Sequence, residues 1–226
     1  MRDYLAPERD RTALVTIDAQ RDFALPGARS RSARAPAFVT AMGRLAAAFR
    51  ARSRPIFHMV RLYRCDGSNV DLYHRASIEE GQRIAMPGSA GAELVDELKL
   101  DSTTRLEHEV LLDGEEQKIG PQEWILYKPR PSAFFATTLE ARLRGLGVST
   151  VVICGSDFPS SPRASIYAAA NRDFRIVLVA DAVSHTTDAG LRELGGIGAR
   201  LMNTDTCLAW LAADPAAREQ SAEAQA

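Results

Sequence analysis

Val151-Val-Ile-Cys-Gly155-Ser-Asp-Phe-Pro-Ser-Ser161-Pro-Arg-Ala-Ser165 is the stretch on which the fold turns. An apolar, β-branched run ends in a glycine. A loop rich in Pro and Ser follows, then a helical run from Ala164 to Arg172. In open α/β sheets, loops at the carboxyl ends of strands are where ligands bind. A hydroxyl at a loop-to-helix junction, beside backbone N–H groups left free at the helix start, has the geometry of a nucleophile next to an oxyanion hole. The plainer reading is an ordinary strand–turn–helix link whose serines cap the helix. The stretch alone does not choose between the two.

The same alternation extends outward on both sides. Strands are expected at Thr12 to Asp18, Pro55 to Arg61, Trp124 to Lys128, Thr150 to Cys154 and Arg175 to Asp181. Between them lie a helix from Ala37 to Ala51, a short one from Glu93 to Leu98, and one from Leu139 to Leu146 that Gly147 terminates. Ala189 to Gly196 reads as a helix, and Asp205 is the expected cap of a last one ending at Leu211. Residues 62–90 read as an irregular binding loop or lid, with a turn at Asp66-Gly67-Ser68-Asn69. Strands that are apolar on both faces and alternate with helices imply a mainly parallel sheet covered on both sides. No repeat or Gly/Ser linker divides the chain, so one domain is expected over 11–212, with a frayed tail over 213–226.

The bulk numbers narrow the function class. A net charge of −1 gives no electrostatic footprint for nucleic acid or an anionic membrane surface. No apolar run is long enough to span a bilayer, and the start lacks the apolar core of a signal peptide. Three scattered cysteines form neither a disulfide framework nor a zinc set, so a cytoplasmic location is expected. No glycine-rich phosphate loop supports a nucleotide, and no cofactor is expected.

Asp18, Lys128 and Ser161 each fall at or just past the end of an expected strand. In a parallel sheet these ends share one edge, where an acid, an amine and a hydroxyl could converge for attack on a carbonyl. Taken singly, each has a blander explanation: a turn acid, a solvated strand-end charge and a loop hydroxyl. If they do converge, Lys128 and Asp18 should be buried and within hydrogen-bond reach, because buried charges persist only when paired.

These residues resemble a known family. Ile17-Asp18-Ala19-Gln20-Arg21-Asp22-Phe23 is similar to the opening of the isochorismatase-like hydrolases, also called cysteine hydrolases. Lys128 with Ser132-Ala133-Phe134 resembles their Lys…Ser-x-Phe element, and Val151–Gly155 and Ala180-Asp181-Ala182 resemble the strands around their nucleophile loop. The likeness spans about residues 11 to 212. It implies a three-layer α/β/α sandwich with a six-stranded sheet, and a homodimer or homotetramer acting on a small molecule. It also implies catalytic roles for Asp18, Lys128 and the residue at 161, a cis peptide at Ser156–Asp157, and oxyanion donors at Asp157 and Ser161.

The departure from the family pattern is the nucleophile. The family places a cysteine where this chain has Ser161. A thiol titrates near about 8.5, whereas an alcohol is a far weaker acid, so a carboxylate alone is a poor base for it. Three explanations stay open: a replacement that disables the enzyme, a natural serine with desolvated Lys128 as base, or no covalent step. The last resembles the isochorismatases proper, which hydrolyse a vinyl ether with the Asp as acid. Because the loop Asp157–Arg163 looks like that of an amidase-type subgroup, hydrolysis of an amide or related carbon–nitrogen bond ranks first. Vinyl ether hydrolysis is second and a silent binding protein third.

Substrate contacts are expected from Phe23, Arg61, Asn69, Tyr73, Phe134 and Arg163, although Tyr73 reads slightly better as plain surface and Phe134 as core. His58 reads as packed or pocket-lining, and His74, His108 and His185 as solvated or structural. With no histidine cluster, no metal is expected. Cys154, inside an apolar strand, reads as an inert buried thiol.

Overall fold

The computed structural model describes residues 3–25 and 36–213. Seven strands form one sheet: β1 (Thr12–Ile17), β2 (Ile56–Val60), β3 (Gln117–Gly120), β4 (Glu123–Tyr127), β5 (Thr150–Gly155), β6 (Arg175–Val183) and β7 (Arg200–Met202). Their order is β3-β4-β2-β1-β5-β6-β7. All neighbours are parallel except the β3–β4 pair. The α/β class is as expected: six strands run parallel, and the antiparallel edge strand β3 adds a seventh. β3 and β7 escape a hydrophobic-pattern reading because they are short edge strands with mostly unburied side chains.

The helices are α1 (Arg21–Ala24), α2 (Ala37–Ala51), α3 (Leu72–Glu79), α4 (His108–Leu112), α5 (Leu139–Gly145), α6 (Ser161–Ala170), α7 (Asp188–Gly196) and α8 (Thr204–Ala212). The chain steps from β1 to β2 to β4 in one direction, then crosses back and runs β5, β6, β7 in the other. Right-handed crossovers therefore put α2 and α6 on opposite faces. β1, β2 and β5 are buried along their whole lengths, which is why they read as continuous apolar runs. The expected tail at 213–226 lies outside the described residues apart from Ala213.

Three local expectations are corrected. The stretch 62–90 is not wholly irregular, since it contains α3, capped by the Asp71 side chain accepting from His74 N–H. The sequence of α3 has little apolar periodicity because most of the helix is solvent-facing, which hid it. The last helix is capped by Asn203, which accepts from Thr206 N–H at 2.8 Å, while Asp205 pairs with Arg44 on α2. The expected short helix at Glu93–Leu98 shrinks to a single 3-10 turn at Asp96–Leu98.

The strand reversal in order falls between β1 and β5, and there the backbones approach closely. A Cβ on Gly155, whose φ is 138°, would meet the Ile17 carbonyl oxygen at 2.0 Å. Only glycine allows this approach, which sets the ends of β1 and β5 side by side. Beneath the edge, a buried polar chain ties three strands to α2. Thr16 Oγ1 meets His58 Nδ1 at 2.8 Å, His58 Nε2 meets Glu123 Oε1 at 2.7 Å, and Arg50 donates to both Glu123 oxygens. Burial works against the Glu123 carboxylate, but hydrogen bonds from Arg50 and His58 outweigh it and hold its pKa down to about 2. His58 is thus packed in the sheet and does not line the cavity.

Candidate active site

The carboxyl edge of the sheet brings the three strand-end residues together. Asp18 follows β1 in a left-handed backbone conformation (φ 48°), which turns its side chain over the strand ends. Lys128 follows β4 and is completely buried. Its Nζ lies 2.9 Å from both Asp18 oxygens, 3.3 Å from Ser161 Oγ and 3.4 Å from the Arg130 carbonyl. Burial pulls the Lys128 ammonium down to about 8; the Asp18 charge pushes it up and the Arg61 charge lowers it further.

Ser161 is the first residue of α6, with Pro162 in the first turn, where no N–H is required. Neither Ser160 nor Ser161 caps the helix with its hydroxyl. The Ser161 hydroxyl instead accepts from Lys128 and, at 3.4 Å, from Arg61 Nη2. The N–H groups of Asp157 and Ser161 meet no acceptor among the described residues. The Ser156–Asp157 peptide is cis. Ser165 ties this helix to the loop after Lys128, donating to Ser161 O and accepting from Ala133 N–H.

The residues after Asp18 each have a distinct physical task. Gln20 is wholly buried and clamps the end of β2, donating to Arg61 O and Ala92 O and accepting from Arg61 N–H. Asp22 accepts from Ala85 N–H at 2.7 Å and so fixes the loop opposite. Phe23 reaches the cavity.

That cavity has a volume of about 390 Å3 and is lined by Asp18, Phe23, Arg61, Tyr63, Tyr73, His74 and the loop from Ser156 to Ser161. Lys128 lies behind Asp18 and Ser161, below its floor. Of the expected contacts, Phe23, Arg61 and Tyr73 line it. Tyr73 is 87% exposed and stands at the mouth, edge-on to His74.

Three others are placed elsewhere. Asn69 closes its own turn, bonding Leu62 O, Arg64 N–H and Tyr127 Oη. Phe134 is in the core, 5.9 Å from the Phe174 ring centroid and beneath the Arg172 guanidinium. Arg163 pairs with Glu193 of α7.

Tyr63, Asp71 and His74 were not singled out as site residues from sequence. Arg61 Nη1 pairs with Asp71 and also meets the Tyr63 hydroxyl. Tyr63 donates to Asp71 at 2.8 Å, and His74 Nδ1 lies 3.0 Å from Asp71. Burial opposes the Asp71 charge, but His74, Tyr63 and Arg61 together hold its carboxyl far below the usual range. The available signal was the Asp71-Leu-Tyr-His74 spacing of a helix cap, hidden while α3 went unrecognised.

His185 faces Asp157 at the rim, with Nδ1 2.6 Å from Oδ1. Among the described residues, no group of three or more His, Cys, Asp or Glu is placed to hold a metal ion. Cys154 is fully buried, and desolvation pushes its thiol far up. No helix among the described residues is long and apolar enough to cross a membrane.

An Isochorismatase domain matches residues 12–206. The chain belongs to this family. A probable inactive nicotinamidase of Arabidopsis thaliana is 28% identical over 195 residues, covering 84% of this chain and 90% of that protein. Among solved structures, an isochorismatase family protein from Desulfovibrio vulgaris matches with a TM-score of 0.72 and 28% identity, over 90% of this chain and 99% of that one. N-carbamoylsarcosine amidase from Thermoplasma acidophilum matches with a TM-score of 0.64 and 23% identity, over 86% and 97% of the two chains. The isochorismatase-family sheet, with its reversal between β1 and β5, thus carries Asp18 and Ser161 on adjacent strand ends, with Lys128 joining them from β4.

Proposed function

We propose that this chain hydrolyses a carbon–nitrogen bond of a small amide or related compound, with Ser161 standing at the family's nucleophile position. The observation that carries the reading is the placement of Lys128 Nζ between the Asp18 carboxyl and Ser161 Oγ, at the head of α6 and directly behind the cavity that Asp18 and Ser161 line.

Ser161 Oγ attacks the carbonyl carbon and forms the O–C bond. Its proton passes to Lys128, which is the stronger candidate base because burial brings its pKa close to neutral. The developing oxyanion faces the N–H groups of Asp157 and Ser161. Collapse breaks the C–N bond, and Lys128 returns the proton to the leaving amine. Asp18 holds Lys128 in place throughout. Water then hydrolyses the acyl-enzyme.

The similarity to a probable inactive nicotinamidase and to an N-carbamoylsarcosine amidase supports an amide over an ether. The test compares the unmodified chain with Ser161→Cys on a panel of small linear and cyclic amides. The expected result is a gain in turnover of about 10-fold or more in the cysteine form, from the greater acidity of the thiol. No amide turnover by either form, together with cleavage of isochorismate, would replace the reading with vinyl ether hydrolysis. Neither activity nor binding would leave a silent scaffold.

A further inference from the structure

The family triad accounts for Asp18, Lys128 and the residue at 161, but not for a second cation on the same hydroxyl. Arg61 directly follows β2 and is 2% exposed. Its Nη2 lies 3.4 Å from Ser161 Oγ, on which Lys128 also donates at 3.3 Å. Its Nε is buried without a hydrogen-bond partner and lies 3.8 Å from Asp18 Oδ1. A guanidinium does not give up its proton, so Arg61 stays charged whatever Lys128 does.

We infer that Arg61 is a further catalytic residue: it donates to the Ser161 oxygen as negative charge develops there, and Asp71 with Tyr63 is the anchor that holds it in position. The inference rests on the nucleophilic role of Ser161 proposed above. An alcohol needs more help than a thiol to carry charge, and two donors on one oxygen supply it. Contacts of 3.3 and 3.4 Å are of the kind that tighten as the acceptor becomes anionic.

The anchor is built for rigidity. Gln20 fixes the Arg61 backbone on both sides, accepting from its N–H and donating to its carbonyl. Asp71 and the Tyr63 hydroxyl then take Nη1, which leaves Nη2 directed at Ser161. His74 completes the cluster on the far side of Asp71, so Asp71 is held by three donors and cannot swing toward Lys128. The charged groups around Lys128 are therefore Asp18 after β1, Arg61 at the end of β2 and Asp71 at the head of α3. Asp18 is matched by Lys128 and Asp71 by Arg61, so no acid is left unpaired beside Ser161. Arg61 also contributes to keeping Lys128 deprotonatable, acting on base and nucleophile at once.

The test reads nucleophilicity without a known substrate. An alkyl fluorophosphonate is incubated with the full chain, and the Ser161 peptide is followed by mass spectrometry across pH 6 to 10. In that reaction the Oγ–P bond forms, the P–F bond breaks, fluoride leaves and the proton goes to Lys128. In the unmodified chain the labelling rate should rise with a midpoint near the Lys128 value of about 8. Arg61→Met should slow labelling by about 10- to 100-fold. It should also move the midpoint upward by about one pH unit, since a nearby positive charge is lost. Asp71→Asn should slow labelling too but leave the midpoint unmoved or lower it, because an acid has been removed; a purely structural role would not separate the two midpoints.

Equal rates and midpoints in the unmodified chain and Arg61→Met would overturn the proposal. So would the absence of Ser161 labelling at every pH, even if Ser161→Cys turns over amides. If Arg61→Met does not fold, Asp71→Asn decides: labelling as fast as the unmodified chain overturns it. Labelling as expected, with no amide hydrolysed by any form, would keep the role of Arg61 and remove only the substrate class.

Discussion

Lys128 Nζ lies 2.9 Å from both oxygens of Asp18, although the two residues follow strands that β2 separates. Strands two places apart are about 10 Å apart. Only a long unbranched side chain crosses that gap beneath the surface, and it does so over the end of β2. The pair thus spans the β1-β2-β4 arm of the doubly wound sheet, and Ser161, reached from β5 on the other arm, meets Lys128 there.

Breaking the pair should therefore be costly in stability as well as in chemistry. Lys128→Met is expected to lose about 3–5 kcal/mol, because it leaves a buried carboxyl without its partner. Adding Asp18→Ala should restore part of that loss, since no uncompensated acid remains. Urea denaturation of the single and double variants checks this. A single variant as stable as the unmodified chain would show that the pair is not coupled in solution.

The Glu123 cluster predicts acid sensitivity. Its carboxyl has a folded pKa of about 2 against an ordinary 4.5. The folded state thus binds fewer protons than the unfolded one in that window, and stability contributed above pH 4.5 is lost as the pH falls toward 2. Urea midpoints measured at pH 5.5 and pH 3 should fall steeply in the unmodified chain. Glu123→Gln should be less stable at pH 5.5 and change less between the two. Parallel pH profiles would show that Glu123 does not drive the loss.

How far the site was legible depended on whether a residue's role is local or tertiary. Asp18 and Lys128 are readable because each ends an apolar run, and Ser161 because it opens the helix after one; parallel strands put such positions on one edge. Gly155 marked the turn, and α2 was legible to the residue because its apolar face is continuous and Pro55 follows it. Asn69 and Phe134 misled for opposite reasons. Asn69 sits close to the mouth in sequence, but its amide is used up by its own turn. Phe134 follows Lys128 closely, yet the chain folds it inward against Phe174. Tyr63 and Asp71 could not be seen because their importance lies in meeting Arg61, a contact made only once α3 docks. Asp205 is not the cap, because the helix already begins at Thr204 and Asn203 stands at its head.

The approach of β5 to β1 predicts a sharp contrast between two glycines. Gly155→Ala would place a Cβ 2.0 Å from the Ile17 carbonyl oxygen and should abolish folding or cost more than about 4 kcal/mol. Gly195→Ala, in α7 with open space around its Cβ, should stabilise by up to about 1 kcal/mol. Thermal melts of both variants decide it. A well-folded Gly155→Ala would mean that the two strand ends stand further apart than the structure places them.

Hydrolysis through Ser161 requires a covalent bond at position 161. The direct measurement is to mix the chain with each member of the amide panel at pH 8.5, quench in acid within seconds, and weigh the peptide that contains residue 161. An acyl adduct is expected on that peptide for at least one amide. The adduct should be present with Ser161, more abundant with Ser161→Cys, and absent with Ser161→Ala and with Lys128→Met. Turnover of an amide with no adduct in any form, or turnover that survives Ser161→Ala, would contradict it.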